Sequence, residues 1–228
     1  MIGLYGFVTK LLVSGNLQFK QGEIDLLGSP MAILSMRTLK QMNDDAIRHG
    51  PESVNDLYFE GWVFGYTFTK RLADAFNLKK FEERYKIVME TAAMIGFGDF
   101  KTIEFYPGFA KYNVFSNPFA MQYSKESGLV DNLLRGMNAG GSTVVHERIM
   151  NCLEFECCAE TRTRCQFISA SQENLFKMVK PEFIRSQIDL EYVLPKQMTL
   201  LNELGIDADW YLKLSNNSAL SVPEKTPA

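Results

Sequence analysis

Cysteine is missing from almost all of this chain. All four cysteines lie between Cys152 and Cys165, and there are only two histidines, His49 and His146, in 228 residues. Thiols bunched in one short stretch do not make the spread framework of a disulfide-stapled secreted domain, so buried thiols or a metal site are the readings that survive. Basic excess is also lacking: the formal net charge is −3, which gives no general means of neutralising nucleic-acid phosphates. No apolar run approaches the roughly 20 residues of a membrane helix. Nucleotide fingerprints are missing too. Gly96-Phe97-Gly98 has neither the third glycine nor the following helix of a dinucleotide loop, and there is no phosphate-loop motif.

What is present is a hydrophobic fraction of 46%, enough for one full core with an accessory segment. Met1–Ser14 reads as a helix of the folded protein rather than an export signal, because its only charge, Lys10, sits inside the apolar stretch. The location this implies is cytoplasmic. Leu17–Phe19 and Glu23–Leu27 flank a Lys20-Gln21-Gly22 hairpin turn. Ser29-Pro30 predicts the start of a helix running to about Ile47, broken at His49-Gly50-Pro51. Asn55–Phe76 is the strongest helix, and Gly61 and Gly65 inside it predict close approach by another element. Phe81–Ile95 is a further helix. Lys101–Phe105 and Tyr112–Phe115 read as strands around a Pro107-Gly108 turn. Pro118–Tyr123 is a short helix and Val130–Gly141 a longer one. Strands are expected at Thr143–Met150, Cys152–Glu160 and Cys165–Ser169, followed by a helix over Ser171–Val179. Phe183–Leu194, Met198–Leu204 and Asp207–Leu214 read as additional helices, and Ser215–Ala228 as a polar, disordered tail.

Glu154, Cys157 and Cys165 form the densest set of soft ligands. A carboxylate precedes the first thiol by three residues, and the second thiol follows it by eight. Zinc takes such donors tetrahedrally, and a hairpin can bring them together. Cys157 and Cys158, read as strand neighbours, would point to opposite faces, so only one can join. Small buried hydrophobes are the other reading of the same thiols.

With the elements placed, residues 15–170 resemble a 4-vinyl reductase-like domain. That family shares its fold with TRAPP vesicle-tethering subunits and with the ligand-sensing domains of aromatic-responsive bacterial transcription activators. The resemblance rests on Asn117-Pro118-Phe119-Ala120, on Gly136 and Gly140, on Glu154-Phe155-Glu156-Cys157 and Cys165-Gln166-Phe167, and on Gly61 with Gly65. It implies an α+β fold in which helices cover an antiparallel sheet. The chain then divides into an N-terminal helix (1–14), a ligand-binding domain (15–170), a helical extension (171–214) and the tail (215–228). It also implies a zinc site in which Asp131 joins Glu154, Cys157 and Cys165, with aspartate standing where the aromatic-sensing relatives carry cysteine. Four protein ligands close the coordination shell, which makes the metal structural rather than catalytic.

The aromatic residues of the middle elements are mainly core. The resemblance selects Trp62, Tyr66, Tyr112 and Phe119 as candidates to line a pocket for an aromatic, tetrapyrrole-related or acyl ligand. His146 reads as a structural histidine in a strand. The expected protein is a non-catalytic binder of a hydrophobic small molecule, acting as a homodimer through the N-terminal and C-terminal helices. The alternatives are a part in tetrapyrrole vinyl-group reduction and a tethering or scaffold subunit.

Overall fold

The computed structural model describes residues 4–217, with side chains from position 6 onward; residues 1–3 and 218–228, including most of the expected tail, lie outside them. Helix α1 (Leu4–Val13) leads into a small antiparallel sheet of β1 (Leu17–Lys20), β2 (Glu23–Leu26) and β3 (Ser29–Met31). The expected helix start at Ser29-Pro30 is corrected here. Pro30 sits on an edge strand opposite Asp25, where its missing N–H costs no ladder bond. The true helix start is Ser35, whose hydroxyl accepts from Thr38 N at 3.1 Å and caps α2 (Met36–His49). Gly50, with φ of 103°, turns the chain into α3 (Pro51–Ala75), and α4 (Phe81–Met94) follows.

The main sheet has the order β4-β5-β7-β6, all antiparallel, from β4 (Asp99–Tyr106), β5 (Phe109–Phe115), β6 (Met150–Glu156) and β7 (Arg164–Ser171). Between β5 and β6 runs α5 (Asn132–His146), packed along α3 and against β6. This crossing confirms the close approach expected at Gly61 and Gly65. A Cβ on Gly61 or Gly65 would overlap the carbonyls of Leu133 and Met137. Conversely, a Cβ on Gly136 or Gly140 would overlap those of Tyr58 and Trp62. Four glycines thus let two backbones touch, and that contact sets the spacing of the core.

Three further expectations are corrected. Thr143–His146 is helix, not strand: Thr143 Oγ1 donates to Ala139 O at 2.9 Å and accepts from Met150 N at 3.1 Å, so tertiary bonds override β-branched propensity. The helix stops only at Glu147, in the left-handed region with φ of 51°. The strand expected to reach Glu160 ends at Glu156, and Cys158–Thr161 is a short helix, α6. After α7 (Gln172–Met178), the helix expected over Phe183–Leu194 is broken at residues 186–189. Its start belongs to α8 (Pro181–Arg185), and its end joins the expected Met198–Leu204 helix as α9 (Leu190–Glu203), which continues through Pro195. The start of α9 is capped by Asp189, which accepts from Glu191 N and Tyr192 N. The last helix, α10 (Ala208–Asn216), takes in two residues of the expected tail.

The extension is stitched to the edge of the main sheet. Gln187 accepts from Glu154 N at 2.9 Å and donates to Glu154 O at 2.8 Å, so one side chain occupies the ladder position a further strand would fill. Gln197 donates to Asn151 Oδ1, which also accepts from Tyr58 of α3. Arg135 of α5 donates to Gln187 O. Buried polar groups therefore lock α3, α5, β6 and the extension together.

Candidate metal centre

Asp131, Glu154, Cys157 and Cys165 meet in the interior, each fully buried, with ligating atoms all within 4.8 Å of one another. Each is delivered by a different local device. Asp131 is the residue before α5, where an aspartate ordinarily caps its own helix. Its side chain makes no capping bond; both carboxylate oxygens instead accept from Asn117 Nδ2 at 3.0 Å. Glu154 lies on β6 opposite Phe167, and a bulge between Glu154 and Glu156 shifts the register beside it. Its Oε2 accepts from Asp131 N at 3.2 Å, while its Oε1 is buried without a hydrogen-bond partner. Cys157 sits at the break between β6 and α6, and its sulfur accepts from Ala159 N at 3.4 Å. Cys165, on β7 opposite Val114, accepts from Cys158 N at 3.1 Å and from Asn117 Nδ2 at 3.4 Å.

The electrostatics are those of crowded acids. Burial pushes the Asp131 carboxyl up. Burial also pushes the Glu154 carboxyl up, and the Asp131 charge beside it adds to the effect. The neighbouring Cys157 and Cys158 thiols push Cys165 up. Four acidic side chains in so small a volume repel when ionised, and a dication at their centre is the group that reverses this.

Cys157 joins the cluster and Cys158 does not, but strand alternation is not the reason. Cys158 opens α6 and directs its sulfur to Val114 O at 3.9 Å. Cys152, lower on β6, faces Tyr112 Oη at 3.5 Å. All four cysteines are buried and unpaired. The residue that sequence reasoning left without a role is Asn117. Its amide holds Asp131 and Cys165, while its Oδ1 accepts from Phe119 N at 3.0 Å and Ala120 N at 3.3 Å. An Asn-Pro after a strand signals a turn; nothing local signals that its amide faces a metal-type cluster.

The four aromatic candidates are all buried. Trp62 stacks on Tyr66 with ring centroids 5.2 Å apart, and its Nε1 has no hydrogen-bond partner. Tyr112 shares a hydrogen bond with Ser169 Oγ at 2.9 Å, and Phe119 tilts against Tyr123 at 5.5 Å. A cavity of about 380 Å³ opens between α3 and α9, lined in part by Phe59, Val63, Pro195 and Leu200. Another of about 30 Å³ lies between α3, α4 and α5. None of the four aromatics lines either one. His146 ends α5 rather than lying in a strand. Its Nδ1 accepts from Gly108 N at 2.9 Å, and its ring meets Phe81 and Phe105 edge-on.

No protein-family model matches the chain, and no curated protein does. Solved structures do. The phenol-responsive sensory domain of the transcription activator PoxR, solved with phenol, has a TM-score of 0.61 at 12% identity, over 72% of this chain and 87% of that one. A vinyl-4-reductase family protein from Methanocaldococcus jannaschii has a TM-score of 0.44 at 19% identity, covering 61% of this chain and 82% of its own. A trafficking protein particle complex subunit 3 from Naegleria fowleri, covalently bound to palmitic acid, has a TM-score of 0.46 at 11% identity, over 59% and 93%. At such identities the likeness is one of fold, and the sensory domain carries it: this chain has the α+β fold of that domain.

Proposed function

We propose that this chain is a small-molecule-binding domain of the sensor or carrier kind, held in shape by a structural zinc ion on Asp131, Glu154, Cys157 and Cys165. The observation that carries the zinc reading is the closed set of four buried donors within 4.8 Å of one another, one of them a carboxylate oxygen with no other partner. Two thiolates and two carboxylates suit zinc, which binds sulfur at ~2.3 Å and oxygen at ~2.0–2.2 Å in a tetrahedron. Asn117 then serves as the outer hydrogen-bond donor that orients two of the ligands. No donor position is left for substrate, so the role is to pin the β6–β7 hairpin to the start of α5.

The binding reading is supported by the fold likeness to a phenol-responsive sensory domain. It proposes Trp62, Tyr66, Tyr112 and Phe119 as the ligand-facing part of the core, although they line neither of the two cavities and must part to admit a hydrophobic or aromatic ligand, with Trp62 Nε1 free to donate to it. Four unpaired buried thiols support a cytoplasmic location. No helix among the described residues is long and apolar enough to cross a membrane. Output passes through a homodimer.

Elemental analysis of protein purified without added metal tests the zinc, with about one zinc per chain expected. Cys157→Ser should lose the metal and several kcal/mol of stability, a large part of the ~5–15 kcal/mol that a domain has in total. Metal-free protein whose unfolding is unchanged by Cys157→Ser would sink this reading.

A further inference from the structure

The cavity between α3, α4 and α5 has no part in the zinc cluster and no wall from the four aromatic candidates. Its lining is apolar apart from Thr69, Thr91 and Asn138, and it includes no ionisable side chain. Two of its polar atoms have no hydrogen-bond partner: Thr91 Oγ1, on a residue only 3% exposed, and Asn138 Nδ2, itself buried. Burying an unpaired hydroxyl or amide costs about 1–3 kcal/mol, so two such groups walling one chamber favour an occupant that pairs with both. They come from separate elements, α4 and α5, and their hydrogen-bonding abilities are complementary. The amide N–H only donates, while the threonine hydroxyl both donates and accepts.

We infer that this chamber is a binding site for a small neutral molecule with an apolar body and a single oxygen function, an alcohol or a ketone. The chamber of about 30 Å³ matches one hydroxyl-sized group. The ligand oxygen accepts from Asn138 Nδ2, and an alcohol proton goes to Thr91 Oγ1; a ketone oxygen accepts from both. The apolar body lies toward the half-buried Phe64, Val88 and Met137, side chains that can move aside at the rim. The absence of a charged partner excludes carboxylates and amines, because an ion would enter unpaired. Gly65 and Gly141 keep α3 and α5 tight behind the chamber, so the ligand enters from the α4 side.

The test is a titration of the full-length, isotopically labelled protein with cyclohexanol, following the Asn138 side-chain amide resonance. Methylcyclohexane and cyclohexanecarboxylate serve as shape-matched probes without a neutral oxygen. We expect a saturable Asn138 shift with cyclohexanol, at least tenfold weaker binding of methylcyclohexane, and no shift with the carboxylate. Thr91→Val keeps the side-chain shape and should weaken cyclohexanol binding about tenfold while leaving the protein equally or more heat-stable. Asn138→Leu, read by the Thr91 methyl resonance, should do the same. An Asn138 resonance unmoved by millimolar cyclohexanol, as when only water enters the chamber, would overturn the inference. So would equal binding of cyclohexanol and methylcyclohexane, or unchanged affinity in both variants.

Discussion

His146 shows how burial decides the chemistry of one residue. Burial, with the Arg148 and Arg84 charges on either side, lowers its pKa to about 3. The ring is therefore neutral in the folded protein, with Nδ1 accepting from Gly108 N and the proton on Nε2. An unfolded histidine titrates near 6.5, so between pH 6.5 and about 3 the unfolded chain binds a proton that the folded chain refuses. Stability from this group is complete above pH 6.5 and falls as pH drops, by roughly 1.4 kcal/mol per unit. His146→Gln keeps a neutral acceptor for Gly108 and removes the titration. We expect the stability difference between wild type and variant to change by about 2 kcal/mol between pH 6.5 and 4.5, measured by urea unfolding at each pH. The comparison is needed because the other acidic groups titrate in both proteins and cancel between them. A parallel pH dependence in the two would refute the assignment. At this scale the sequence conveyed residue types but not partners. Glu154, Cys157 and Cys165 stand out as a ligand set by spacing alone, whereas Asn117 and the unpaired groups of Thr91 and Asn138 acquire meaning only once α4 and α5 are packed.

The α3–α5 pair is where sequence and structure agree best, because glycine in a helix has few other uses. Gly61, Gly65, Gly136 and Gly140 each cost about 1 kcal/mol of helix propensity, and backbone contact across the crossing offsets it. Gly140→Ala regains that propensity but drives a Cβ into Trp62 O, which is backbone and cannot rotate away. We expect a net loss on the order of 2 kcal/mol or more, seen as a lower urea midpoint. Gly141→Ala is the control. There the new Cβ meets the side chains of Thr69 and Val88 at 3.1 and 3.5 Å, and the change should be much smaller. Equal midpoints for the two variants would show that the crossing tolerates a methyl group. Elements misread from sequence share one cause, a local signal outweighed by distant contacts. Thr143-Val144-Val145 has strand propensity but is the last turn of α5. Ser29-Pro30 looks like a helix start yet pairs with β2. Cys157–Glu160 continues a strand pattern, but the chain turns into α6.

For the whole molecule, the uneven distribution of exposed apolar surface bears on assembly. Val13 at the end of α1 is 84% exposed, Phe19 on β1 67%, Ile33 85% and Leu34 55%, all within one stretch of chain. The same stretch is anchored from beneath by a second core, in which Phe7, Leu11 and Leu26 pack on Phe68 and Leu72 of α3 and Ile87 of α4. An N-terminal segment anchored from beneath and carrying four exposed large apolar side chains has a feature of interfaces, and β1 is an edge strand of the small sheet beside them. In the proposed homodimer a second copy of the chain meets this surface with the same residues, as a two-fold contact requires. The proposed homodimer thus rests on the N-terminal segment, while the C-terminal extension is committed to covering β6 through Gln187, between α8 and α9, and Gln197 of α9. Sedimentation equilibrium at micromolar concentration should give twice the chain mass. Phe19→Asp combined with Ile33→Asp should give a single-chain mass with metal content unchanged, because both positions are exposed and far in sequence from the Asp131, Glu154, Cys157 and Cys165 cluster. A wild-type mass of one chain would refute the dimer. A dimer that survives both substitutions would refute its placement at the N-terminal segment.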